Sequence, residues 1–295
     1  MTAPPPWVDD LFPFPTPPGL ARLVDIAWAD AFTDEDEYDE ALLATHYDFM
    51  FDLEAAPGAP DGWEYAYPGP SLTKGVRQDH VPMFATPELV QFGHLGNGTC
   101  VGWVVPAPEL RGTDHPVALF GQEPGARIIG ADTRAGLEWM LSLGLRKKNL
   151  RDDDRALIAR LATELDLHPT PEHGITPDGF DTIVPLELTV PAGWRHEPDV
   201  NGAGVGVLAP AGAFTDRGHM YAGGCLDEIL AHTDRLLDTG YPATALLELT
   251  DAFHDDHDRF THLHPLWARA YHDLDRPQLA TRLETMLPMY APLQH

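Results

Sequence analysis

Cysteine is scarce: the 295 residues hold two, Cys100 and Cys225, far apart in the chain. A disulfide framework needs an even set at close spacing and a thiolate zinc site needs paired thiols, so neither is expected. Serine is as rare. Neither Ser71 nor Ser142 lies in a Gly-x-Ser-x-Gly elbow, which leaves serine hydrolysis without its nucleophile turn. No Gly-x4-Gly-Lys-Ser/Thr phosphate loop is present. No apolar run approaches the ~20 residues of a membrane helix. The N-terminus lacks the basic and apolar regions of a secretory leader, so a cytoplasmic location is expected. Cations are also few: 19 Lys and Arg stand against 46 Asp and Glu, a net charge of −27. Binding to nucleic acid phosphates needs a Lys/Arg footprint, so direct nucleic acid binding is not expected either.

What is present is acidity, proline and glycine. Residues 1–150 hold 9 basic and 22 acidic groups, and residues 151–295 hold 10 and 24. No acidic tail therefore explains the charge. Such a field steers a basic partner toward the chain. General solubility, or an acidic proteome, accounts for the same composition. The 29 prolines and 26 glycines predict many turns and long connections. The 43% hydrophobic content suffices for a core.

The most informative stretch is Phe84–Leu143. Gly96-Asn97-Gly98, within Phe92–Gly98, is a tight-turn signal because Asn and Gly tolerate positive φ. Thr99–Val105 is β-branched and aromatic, as strands are, and Pro106 and Pro108 end it. Pro116–Gly121 and Ala126–Gly130 read as two further short strands. Asp132-Thr133 is a helix N-cap pair, and Leu137, Met140, Leu141 and Leu145 follow at helical spacing.

This order resembles the SUKH superfamily: Phe92-Gly93, Gly96-Asn97-Gly98, a strand, Pro116–Gly121, then Ala126–Leu141 (ARIIGADTRAGLEWML). The resemblance covers residues 84–143, about one fifth of the chain. The family's opening helix with a Leu-Pro pair is not clear here; Asp36–Leu53 is expected to supply that helix. The resemblance implies an α+β fold and the habit of bacterial immunity proteins, which bind and neutralise toxins, often nucleases. It implies no catalytic set and no cofactor.

In chain order, residues 1–19 form a Pro-rich lead-in. Asp34, Glu35, Asp36, Glu37, Asp39 and Glu40 form an acidic run entering a helix, either as a contact surface for a basic partner or as groups favoured by the helix dipole. Leu42, Leu43, Tyr47, Phe49, Met50 and Phe51 give that helix its apolar face. Trp63, Tyr65 and Tyr67 alternate, as in a half-buried strand or an aromatic binding surface. Asp152–Leu167 has the pattern of an amphipathic helix. Ile183–Val190 and the segment after Asn201–Gly206 read as strands. The glycines at 202, 204 and 206 precede no helix, so they do not form a dinucleotide loop. Four amphipathic helices follow, carried by Leu226–Leu237, Pro242–Phe253, Leu266–Leu274 and Pro277–Leu287, with Pro at the start of two.

Two constellations bear on chemistry. His254, His257, Asp258, His262 and His264 have ligand types suited to a divalent metal, but they fall between two expected helices, where polar residues belong anyway. Cys225 follows Gly223-Gly224 at an expected helix start, without any local signature of a Cys–His enzyme. The expectation is an α+β protein: a Pro-rich lead-in over 1–19, a mixed or antiparallel sheet packed against helices over 20–168, a β-rich segment over 169–222 and helical hairpins over 223–295. Its expected role is that of a non-catalytic protein-binding module, an immunity protein occluding a basic toxin or nuclease. The acidic residues 34–40 and the aromatics 63–67 are the expected contact surface. A metal-dependent enzyme using the 254–264 cluster and a helical scaffold binding a peptide are the alternatives.

Overall fold

The computed structural model describes Arg22 and residues 49–51, 86–95, 100–110, 114–120, 126–146, 152–171, 188–198, 204–215 and 224–290. The chain is α+β. Five antiparallel strands form a meander in sequential order: β1 (Phe49–Phe51), β2 (Leu89–Leu95), β3 (Cys100–Val104), β4 (Val117–Phe120) and β5 (Ala126–Gly130). Two helices follow, α1 (Thr133–Leu145) and α2 (Asp152–Glu164). A two-stranded antiparallel sheet pairs β6 (Trp194–Glu197) with β7 (Val207–Pro210). The C-terminal part holds α3 (Leu226–Asp238), α4 (Pro242–Asp255), α5 (Phe260–Asp273) and α6 (Pro277–Tyr290).

Sheet pairing follows from the strand sequences. Cys100 pairs with Phe120 and Gly102 with Ala118, so these side chains share one face. Alternation puts Val101, Trp103, Val117 and Leu119 on the other. Every residue of β3 and β4 is buried, which requires cover on both faces. Val205 and Leu188 pack on the Cys100–Phe120 face. On the other side α1 lies so close that Gly136 meets the Val117 side chain.

The start of α1 is fixed by a compact polar knot. Asp132 is its N-cap, accepting from the Ala135 N–H at 2.8 Å. Asp114, just before β4, accepts from the backbone N–H of Thr133 at 3.0 Å and of His115 at 2.9 Å, and also from the Thr133 hydroxyl. That hydroxyl accepts from the Trp103 indole at 2.8 Å. A carboxylate at a helix N-terminus also suits the dipole. Asp114→Ala would strip three donors of their acceptor in a largely buried place. It is expected to cost about 1–3 kcal/mol, read as a lowered urea midpoint at unchanged slope.

Several expectations change against the structure. Phe49, Met50 and Phe51 were expected on a helix face but form β1, pairing with Leu95, His94 and Gly93. Strand pairing overrides local helical spacing at this edge. Phe92–Leu95 belongs to strand β2, with a bulge between Gln91 and Gly93, so the turn into β3 is narrower than Phe92–Gly98. The tight-turn residues 96–98 lie outside the described residues. Leu188–Val190 carries no strand, and the partner of β7 is Trp194–Glu197. All four C-terminal helices are present. However, α5 begins at Phe260 and runs through Pro265, so His262 and His264 are helical and not in a connection.

The C-terminal core is built around α4. Its residues Pro242–Phe253 are all buried, Glu248 and Asp251 among them. Helices α3, α5 and α6 contribute Ile229, Leu236, Phe260, Trp267, Leu279 and Leu283 to the same core, as β7 does Val207 and Ala209. Gly240, with φ +82, caps α3, and the Tyr241 N–H returns to the Leu236 carbonyl at 2.9 Å, a Schellman closure that sets the hairpin to α4. Among the described residues no helix is long and apolar enough to cross a membrane.

Candidate functional site

The exposed face of α3 follows from its sequence. Asp227, Ala231, Asp234 and Asp238 recur at helical spacing and all are exposed, while Ile229, Thr233, Leu236 and Leu237 face the core. Helix α5 lies alongside and presents Arg269 to this acidic stripe. The Arg269 guanidinium reaches Asp238 at 2.7 Å, Asp234 at 2.9 Å and Asp273 at 3.7 Å. One cation thus serves three exposed carboxylates, and the patch stays net negative. The hydrogen bond to Asp238, with attraction from Asp238, Asp273 and Asp234, pushes the Arg269 pKa up. Exposed pairs of this kind add little stability. Their consequence is the potential they present to solvent.

The His/Asp segment lies at the turn from α4 to α5. His254 lies in the last turn of α4, His257 and Asp258 sit in the 3-10 turn that follows, and His262 and His264 lie on α5. His254 and His257 both contact the Phe253 ring, at centroid distances of 5.5 and 4.7 Å. His264 contacts the Phe260 ring at 6.0 Å and stands 3.5 Å from Glu284. His262 is exposed. Arg259 pairs with Asp255 and Asp256 at 3.3 and 3.2 Å. Burial, and the nearby His254, lower the His257 pKa, with Asp256 and Asp258 opposing. The imidazoles therefore edge an aromatic cluster of Phe253, Phe260 and Trp267. Among the described residues no group of three or more His, Cys, Asp or Glu side chains is gathered as a metal site.

A third group of polar side chains is buried, apart from the half-buried Glu109 and Arg282. Tyr271 on α5 donates to Glu88 at 2.6 Å. Arg276, between α5 and α6, donates to Glu109 at 2.9 Å and to the Leu208 carbonyl. Arg282 on α6 donates to the Leu89 carbonyl at 2.9 Å. Burial, first, and the Glu88 carboxylate raise the Tyr271 pKa well above that of a free phenol, so it stays a donor. These side chains join the helices to the start of β2, the turn after β3, and β7.

Of the residues expected to form a contact surface, Asp34, Glu35, Asp36, Glu37, Asp39, Glu40, Trp63, Tyr65 and Tyr67 lie outside the described residues. The Asp234–Arg269 patch was not among the expected sites. Its acidic spacing along α3 was legible, whereas the approach of α5 was not. Cys225 is exposed at the N-cap of α3 and makes no capping hydrogen bond with its side chain. No protein-family model and no curated protein matches the chain.

Proposed function

We propose that this is a non-catalytic protein-binding module that occludes a basic partner, in the manner of an immunity protein directed at a basic toxin or nuclease. The observation that carries the reading is the uncompensated acidity. The chain bears a net charge of −27, and on the face of α3 and α5 three carboxylates share the one guanidinium of Arg269. Nuclease clefts are basic because their substrates are phosphates, so an acidic surface complements them. The likeness of residues 84–143 to the SUKH superfamily points the same way, toward binding and away from a shared catalytic set.

The test is recovery of the partner from the native host, followed by kinetics with the purified pair. A basic protein retained at near-equal amount, with an association rate that falls steeply with salt, is the expected result. The triple change Asp234→Asn, Asp238→Asn and Asp273→Asn is expected to slow association about tenfold while leaving dissociation nearly unchanged. A partner bound with no salt dependence, or a host extract from which no basic protein is retained, would sink the reading.

A further inference from the structure

We propose that the antiparallel sheet and the C-terminal helices form one cooperative unit, locked by a buried polar latch on the α5–α6 hairpin. The latch is independent of any partner. Its donors are Tyr271, Arg276 and Arg282, and its acceptors are Glu88, Glu109 and the carbonyls of Leu89 and Leu208. Donor and acceptor are 68 to 193 residues apart in sequence. Tyr271 and Arg276 are 0% and 1% exposed, and Glu88 is 5% exposed.

The geometry of the hairpin puts the donors there. Asp275 adopts φ +59, and the Arg276 N–H returns to the Tyr271 carbonyl at 2.8 Å. This left-handed turn reverses the chain between α5 and α6 and places Arg276 at the corner, just ahead of Pro277. The receiving side is also stitched together. The Glu88 carbonyl accepts from the Val105 N–H at 2.8 Å, and the Leu110 N–H donates to the Ala107 carbonyl at 3.1 Å. Glu88 and Glu109 are thus carried on one backbone frame, just before the start of β2 and in the turn after β3. Leu89 beside them belongs to the core of the sheet, and Tyr271 belongs to the core of the helices.

A polar latch of this kind penalises partial opening more than an apolar contact does. Fully closed, each of these side chains has at least one partner. Fully open, each is hydrated. Part way, a dry carboxylate or guanidinium is left unpaired, which is the costly state. The sheet and helices are therefore expected to open together, so that a grip on one half holds the other.

Hydrogen exchange on the full chain under rising urea tests this. Backbone amides of β3 and β4 report the sheet, and those of Ala245–Phe253 report the helices. In the unaltered protein both are expected to lose protection at the same urea concentration. In Tyr271→Phe they are expected to separate, the helical amides losing at least tenfold more protection than the sheet amides at the same urea. Arg282→Met, which removes a half-buried donor, serves if Tyr271→Phe fails to fold, with the same separation expected. Separate transitions in the unaltered protein would overturn the proposal. So would latch variants that shift both sets of amides equally.

Discussion

Replacing Arg276 by Met is expected to destabilise the protein by about 3–5 kcal/mol, the loss typical of breaking a buried charge pair from one side. Arg276 is among the largest fully buried side chains. Its guanidinium satisfies Glu109 at 2.8 Å and the Leu208 carbonyl together. The second oxygen of Glu109 is buried with no hydrogen-bond partner among the described residues, so the Glu109 carboxylate depends on Arg276. Methionine keeps the stem's apolar packing and removes only the charge and the donors. The measurement is the urea midpoint of Arg276→Met, Glu109→Met and the double variant. The double variant is expected to recover much of the loss, since two apolar groups can replace a buried pair at little cost. A single Arg276→Met within ~0.5 kcal/mol of the parent would show that the pair is hydrated and that this account of it is wrong.

That residue also shows where sequence reading stops. Arg276 stands before Pro277 at a helix start, where a charged side chain is ordinarily solvated. Nothing in its local pattern points to acceptors at Glu109 and Leu208. Glu88, inside an unremarkable Pro-Glu-Leu-Val segment, is likewise invisible as the partner of a tyrosine 183 residues later. By contrast, the Asp132-Thr133 cap and the Pro starts of α4 and α6 were legible, because capping and Pro placement are governed by neighbours within one turn. The strands 117–120 and 126–130 were legible for the same reason: short β-branched and apolar runs between turn residues. Phe49–Phe51 was misread because an edge strand of three residues is defined by its partner, β2, and not by its own period. The His254–His264 segment was legible as a polar corner. Its histidines lean on Phe253 and Phe260, a contact that appears only once α5 is seen to start at Phe260.

Gly130→Ala is expected to destabilise the protein by about 3 kcal/mol, at the upper end of the usual overpacking cost, because no side chain can yield to the new methyl group. A Cβ at Gly130 would overlap the backbone nitrogen of Gly136, with the Ala135 carbonyl carbon at 2.6 Å and the Gly136 Cα at 2.7 Å. Both backbones are tied in place. Gly130 pairs with Val117 in the sheet, and the Gly136 N–H donates to the Asp132 carbonyl at 3.0 Å. Relief requires α1 to retreat from the sheet, which pulls Thr133 from both Trp103 and Asp114. Gly136→Ala is the control. Its three nearest contacts would all be atoms of the Val117 side chain, at 2.6–2.8 Å, and alanine also improves helix propensity by about 1 kcal/mol. Truncating Val117 to Ala removes the Cγ1 and Cγ2 contacts but keeps the Cβ at 2.6 Å, so it should rescue part of the Gly136→Ala loss and none of the Gly130→Ala loss. Thermal or urea unfolding of the four variants decides it: a Val117→Ala background that rescues both glycine changes equally would mean that α1 is not seated backbone-to-backbone on β5, and that its tight approach to the sheet is set by side chains alone.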